Sequence, residues 1–163
     1  MLKIEKSKSS GVVLAMGLLL SGTVFAQEQQ ILLLEKRASD GSREAVLFYE
    51  VSNDELTAGI GFRIHFASRN VNVLAFKNYL ELSNVGLDIM TDTDDLDHDP
   101  QTDLYINAAW VDLNGEWPSG ITFPVKLFSF RFDAIAVQAV ELFNIRQSSS
   151  PVGFEFASTI ATK

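Results

Sequence analysis

Apolar and polar residues alternate along most of the chain, which is the pattern of half-buried β-strands because successive side chains of a strand point to opposite faces. Four long stretches show this alternation most clearly. Their apolar faces are Ala45, Leu47, Tyr49 and Val51; Ile60, Phe62, Ile64 and Phe66; Leu104, Ile106, Ala108 and Trp110; and Phe128, Phe130 and Phe132. These faces are the predicted core.

Further strands are predicted where shorter apolar runs lie between turn-forming clusters. The shorter strands are residues 31–36, 71–76, 140–145 and 152–157, and the turns are 39–42, 52–54, 114–120 and 148–151. About eight or nine short strands without a strong helical period predict an all-β fold, an antiparallel β-sandwich. The stretch 73–87 is the one place where a single helical turn is considered.

The first residues have the pattern of a secretory signal peptide. Lysines within residues 1–8 precede an apolar run at 11–20, and Val24 and Ala26 supply the small residues of a cleavage site before Gln27. The alternative is an N-terminal membrane anchor, but a span needs about 20 apolar residues. We therefore expect residues 1–26 to be removed on export to the periplasm or the extracellular space, with no membrane span left.

The mature chain, residues 27–163, is predicted to be a single domain. It carries 10 basic and 20 acidic side chains, a net charge of −10. Such a surface repels nucleic acid and anionic lipid. The chain has no cysteine, which excludes disulfides, thiol catalysis and zinc sites built on cysteine.

The most distinctive chemistry lies in the acidic loop, residues 92–103, with the sequence DTDDLDHDPQTD. Short carboxylates at alternating positions can converge on a hard cation, and calcium takes six to eight oxygen ligands. The predicted ligands are Asp95, Asp97, Asp99 and Asp103, spaced as in the calcium loop of an EF-hand, with Asp92 and Asp94 beside them. The sequence thus predicts a structural calcium ion.

The loop is nevertheless not an EF-hand. Pro100 stands where such loops have glycine, Ile106 stands where a bidentate glutamate would close the shell, and no helices flank the loop. Asp112 or the amide of Asn114 is considered as a completing ligand. The alternative is an acidic loop that only keeps the domain soluble.

No catalytic constellation is recognised, and the protein is predicted not to be an enzyme. His65 is expected to be an ordinary surface residue on the polar face of its strand, and no Ser-His-Asp set can be assembled around it. Trp110 is expected in the core. Trp117 lies in the turn 114–120, where it would either be exposed and bind a ligand such as a sugar, or cap one end of the sandwich.

The apolar run 31–34 follows directly after the predicted cleavage site. It is expected to form an N-terminal edge strand. The alternative is donor-strand exchange, in which the segment leaves its own domain and completes the sheet of a neighbour.

Three stretches of the sequence resemble the cohesin-like β-sandwich domains of secreted bacterial proteins. They are residues 45–66, 92–120 and 124–134. The resemblance implies a jelly-roll sandwich related to cohesins and to some carbohydrate-binding modules, with a role in extracellular recognition or assembly.

Three functions follow as hypotheses. The first is a secreted, calcium-stabilised recognition or adhesion module, non-enzymatic, whose partner is an extracellular protein or polysaccharide. The second is a carbohydrate-binding module that uses Trp117. The third is a self-assembling filament subunit, or other homo-oligomer, that exchanges its N-terminal strand.

Overall fold

The computed structural model describes residues 27–37, 42–135 and 142–162, so the predicted signal peptide and all but the last residue of the predicted turn 39–42 lie outside the described residues. Nine strands are described: β1 (Gln27–Arg37), β2 (Arg43–Val51), β3 (Gly59–Phe66), β4 (Val71–Asn78), β5 (Asn84–Thr91), β6 (Leu104–Val111), β7 (Val125–Ala134), β8 (Asn144–Ser149) and β9 (Phe154–Thr162). A single 3-10 turn, Ser52–Asp54, follows β2. No described helix is long and apolar enough to cross a membrane.

The strands form two sheets that pack face to face, which confirms the predicted all-β sandwich. The five-stranded sheet has the order β4-β7-β2-β1-β9, and the four-stranded sheet has the order β5-β6-β3-β8. All the strand pairs are antiparallel except β1 and β9, which run parallel. The predicted antiparallel sandwich thus contains one parallel pair.

The core lies between the sheets and consists of the apolar faces predicted from the alternation. Every member of those faces is buried except Leu104, which is half-buried. On the inner face Ile60 lies opposite Trp110, and Phe62 stacks on Trp110 and Phe128 with ring centroids 6.1 and 6.4 Å apart. Burial of large aromatic surfaces is the main stabilising term of such a core.

Two strands differ from the sequence prediction. The helical turn considered within 73–87 is absent, because these residues belong to β4, a connection and the start of β5. The sequence pattern did not predict β5. Its inner-facing apolar residues near the centre are Leu87 and Ile89, and they stay partly exposed because β5 is an edge strand. β8 runs from Asn144 to Ser149, so the predicted turn at 148–151 begins too early. The predicted strand 140–145 overlaps the start of β8, and its first two residues lie outside the described residues.

The N-terminal strand β1 is an integral part of its own domain. It is not an edge strand, as the sequence suggested, but lies between β2 and β9. Ile31 and Leu33 are fully buried, and the buried Gln29 donates from Nε2 to the Tyr49 hydroxyl at 2.9 Å. No contact in the described structure supports donor-strand exchange, which stays a hypothesis.

Trp117 caps one end of the sandwich, which is one of the two alternatives that the sequence left open; the other, an exposed side chain that stacks on a sugar, is wrong. The residue is 1% exposed, and its ring packs on Tyr49 and Trp110 at centroid distances of 4.7 and 6.1 Å. Paired backbone hydrogen bonds with Thr57 hold the turn against the sandwich end. A ring covered on this scale has no free face for a ligand.

Candidate metal centre

The acidic loop connects β5 to β6 and is tied down at its base. The amide of Asp92 donates to the carbonyl of Asp103 at 2.9 Å, as in the closing pair of a hairpin. The amide of Asp103 donates in turn to the carbonyl of Phe66 at the end of β3. Its carboxylate accepts from both the amide and the hydroxyl of Ser68, each at 2.6 Å. These contacts fix where the loop leaves the sheet.

Local turns then direct the loop's carboxylates to different places. Asp95 and His98 adopt left-handed backbone conformations with φ of 52° and 60°, which Asp tolerates better than most residues. The amide of His98 donates to the carbonyl of Asp95 at 3.0 Å, and the Asp99 side chain accepts from the amide of Gln101 at 2.9 Å. Such Asx-type turns bend the chain repeatedly and prevent a regular spiral of ligands.

The middle of the loop reaches across the outer face of the four-stranded sheet to β8. There the carboxylate of Asp97 accepts from the side-chain amide of Asn144 at 3.0 Å, and its backbone carbonyl accepts from the Arg146 guanidinium at 3.3 Å. β5 and β8 are the two edge strands of this sheet, so a loop that starts at β5 and contacts β8 spans the sheet. It covers the outer face at the end of β3.

His65 lies under this cover, so the expectation of a surface histidine is wrong. The residue is fully buried, between Asn144 on β8 and Tyr105 on β6 in the strand register. Its Nδ1 atom is 2.9 Å from Asp92 Oδ2 and 3.8 Å from Asp97 Oδ1, and all three side chains are 0% exposed. The loop has brought two carboxylates onto one imidazole.

The imidazole has no hydrogen-bond partner at either nitrogen. Asp92 Oδ2 lies 2.9 Å from Nδ1, within hydrogen-bond distance but outside good hydrogen-bond geometry, and Nε2 has no partner at all among the described residues. Buried polar atoms are almost always satisfied, and each exception calls for an explanation. A bound ion is one of the standard explanations, because a ligating nitrogen offers its lone pair and not a proton.

The electrostatics of the cluster favour the forms that bind metals. Burial lowers the pKa of His65 below its usual value, despite the opposing charges of Asp97 and Asp92, so the imidazole stays neutral. Burial would raise the pKa of Asp97, but hydrogen bonds from the Thr102 hydroxyl, the Asn144 amide and the backbone amide of Asp99 act against it, and the pKa is lowered. Neutral imidazole and ionised carboxylate are the protonation states of metal ligands.

Of the predicted calcium ligands, the structure brings only Asp92 and Asp97 together, and it adds His65, which the sequence did not indicate. Asp94 and Asp95 are exposed on the outside of the loop. Asp99 is used by its own turn and Asp103 by Ser68.

Asp112 and Asn114, considered as completing ligands, follow the opposite end of β6 from the acidic loop. At the usual rise of about 3.3 Å per residue, β6 separates Asp112 from Asp103, the last residue of the loop, by about 30 Å.

Comparison with known proteins finds no family model and no curated protein that matches the chain.

Proposed function

We propose that the protein is an exported, non-enzymatic recognition or adhesion module of the cell surface or the extracellular matrix, whose acidic loop is folded by a divalent cation. Export is supported by the signal-peptide pattern of residues 1–26. All the described strands lie C-terminal to the predicted cleavage site, so cleavage would leave the described sandwich intact. The resemblance to cohesin-like domains supports extracellular recognition.

The observation that carries the proposal is the path of the acidic loop. A loop that served only solubility would project into water, where its like charges would be screened and separated. This loop instead turns back over the sheet and buries Asp92 and Asp97 against His65. Burying two carboxylates is costly unless a positive charge compensates them. A divalent cation supplies that charge, and calcium is the ion that the loop sequence predicts.

The edge of β5, next to the loop, is the surface that we propose for recognition. β5 leads directly into it and is hydrogen-bonded on one edge only among the described strands, to β6. Its apolar side chains Val85, Ile89 and Met90 are 64, 41 and 47% exposed. A free strand edge with exposed apolar side chains is a common docking surface for an extended protein segment. A cation that fixes the loop also fixes the end of this edge.

A charge on this edge should therefore impair binding. We expect the mature chain to bind a target when it is screened on arrays of extracellular matrix proteins and polysaccharides. Val85→Lys should weaken that binding about tenfold, as expected for a residue near the centre of an interface. Val152→Lys is the matched control, since Val152 is fully exposed in the turn before β9, on the opposite side of the sandwich. Dynamic light scattering on the same samples tests a second copy of the chain as the target.

The proposal fails if the mature chain binds no target and does not self-associate. Equal loss of binding in Val85→Lys and Val152→Lys would contradict the β5 edge as the recognition surface. Turnover of a bound polysaccharide would contradict the non-enzymatic role.

A further inference from the structure

We propose that His65, Asp92 and Asp97 form a binding site for a borderline transition ion of the Zn²⁺ or Co²⁺ class, in preference to Ca²⁺. The inference rests on the proposed function, since both place a divalent cation under the acidic loop. It replaces the calcium expected from the loop sequence with another class of ion, and it assigns the nitrogen ligand to β3, outside the loop.

The donor set is the first reason. Calcium and magnesium are hard ions that take oxygen ligands, whereas imidazole nitrogen suits zinc, cobalt, nickel and copper. Calcium also needs six to eight oxygens, and only two carboxylates converge here. The three side chains are 0% exposed, which leaves little room for the waters that would complete a calcium shell. One nitrogen and two carboxylates suit an ion with about four ligands.

The spacing of the ligand atoms is the second reason. Ligands at about 2.0–2.1 Å from a zinc ion lie about 3–4 Å from one another, depending on the angle between them. His65 Nδ1 is 2.9 Å from Asp92 Oδ2 and 3.8 Å from Asp97 Oδ1, and the three ligand atoms all lie within 4.8 Å of one another. Small side-chain rotations would complete the approach.

The third reason is that both carboxylates are held in place by outer contacts, as metal ligands usually are. Asp97 accepts from the hydroxyl of Thr102 at 2.9 Å and from the amide of Asn144 at 3.0 Å. Asp92 accepts from the backbone amide of Leu96 at 3.1 Å. None of these donors lies on β3, the strand that carries His65. These contacts do not satisfy the two ring nitrogens of His65, which is fully buried beneath the carboxylates. A bound ion would explain them.

The chain offers a matched pair of variants, because it contains only two histidines. His65→Gln removes the proposed nitrogen ligand, and His98→Gln changes the exposed histidine of the acidic loop. We expect the mature chain, stripped with a chelator, to bind one Co²⁺ with a visible absorption band, and Zn²⁺ to displace it. His65→Gln should weaken Co²⁺ binding by more than about 100-fold, since even changes in outer contacts cost 10–100-fold. His98→Gln should bind like the wild type.

Nuclear magnetic resonance of the wild-type imidazoles keeps the test decisive if His65→Gln does not fold. Zn²⁺ should shift the resonance of a ring nitrogen of His65 far more than those of His98, because only His65 binds the ion directly. Equal Co²⁺ binding by the two variants, or unshifted His65 resonances at saturating Zn²⁺, would overturn the inference.

Titration with Ca²⁺ separates this inference from the proposed function. If Ca²⁺ raises the melting temperature of the wild type and of His65→Gln equally, a cation-folded loop stands and the nitrogen-ligated site is wrong. If no divalent ion binds, the inference and the cation's role both fail, while the recognition role is decided by the Val85→Lys and Val152→Lys comparison.

Discussion

Replacing Trp117 with alanine should lower the free energy of unfolding by about 3–5 kcal/mol, the usual cost of deleting a buried tryptophan. The ring is 1% exposed and closes the sandwich end over Tyr49 and Trp110. Its removal opens a cavity that the surrounding strands cannot fill without separating. Since small domains are stable by only about 5–15 kcal/mol, the variant should be largely unfolded under mild denaturant. Urea unfolding monitored by circular dichroism measures the change.

A pair of phenylalanine variants separates lost packing from lost hydrogen bonding. The Trp117 indole nitrogen is buried without a partner, whereas that of Trp110 donates to the carbonyl of Leu80 at 3.0 Å. Trp110→Phe should therefore cost about 1 kcal/mol more than Trp117→Phe, because it alone leaves a buried carbonyl unpaired. If Trp117→Ala were as stable as the wild type, the ring would not be the end cap described here.

Replacing Gly59 with alanine should cost about 3 kcal/mol or more. Gly59 begins β3 with φ of +116°, a conformation that residues with a side chain rarely adopt. A Cβ atom at this position would lie 2.0 Å from the carbonyl oxygen of Trp110 on the neighbouring strand. Neither backbone can yield without separating β3 from β6. Overpacking typically costs about 1–3 kcal/mol, and the left-handed conformation adds about 1–2 kcal/mol.

Gly115→Ala is the matched control for this prediction. Gly115 also has a positive φ, +73°, but a Cβ there would meet no atom within 4 Å. Only the conformational cost of about 1–2 kcal/mol should remain. Urea unfolding of the two variants should thus differ by about 2 kcal/mol, the part due to the clash. Equal destabilisation would show that β3 and β6 are not as close at this point as the structure has them.

The sandwich could be predicted from the sequence because its core depends on a simple period. Residues such as Phe128, Phe130 and Phe132 alternate with polar neighbours, and a one-residue shift would turn all of them to water. The partial exposure of β5 made it harder to see, because an edge strand beside an open side of the sandwich needs no strict alternation. The parallel pairing of β1 with β9 depends on distant parts of the chain and leaves no local signal.

The candidate site was only half predictable, because it depends on where a loop folds. Alternation placed His65 on the outer face of β3 correctly but could not show that the acidic loop covers that face. The neighbours of His65 on that face gave a mixed signal, since Gly61 is small but Arg63, which lies between them, is charged.

The spacing of the aspartates was a poorer guide than their number. It implied a spiral of ligands around one ion, but turns at Asp95 and Asp99 send most carboxylates elsewhere. The sequence likewise left the burial of Trp117 open as one of two alternatives, since a turn sequence does not specify which surface the turn packs on. In both cases tertiary contacts decide the outcome, and local pattern does not contain them.

Thermal unfolding of the mature chain, first with a chelator and then with Zn²⁺ at about 100 times its dissociation constant, tests the central claim most directly. An ion that binds only the folded protein stabilises it by about 2.7 kcal/mol under these conditions. For a domain of this size, we expect the melting temperature to rise by about 5–10 °C. An identical melting temperature in chelator, Zn²⁺ and Ca²⁺ would contradict a cation site beneath the acidic loop.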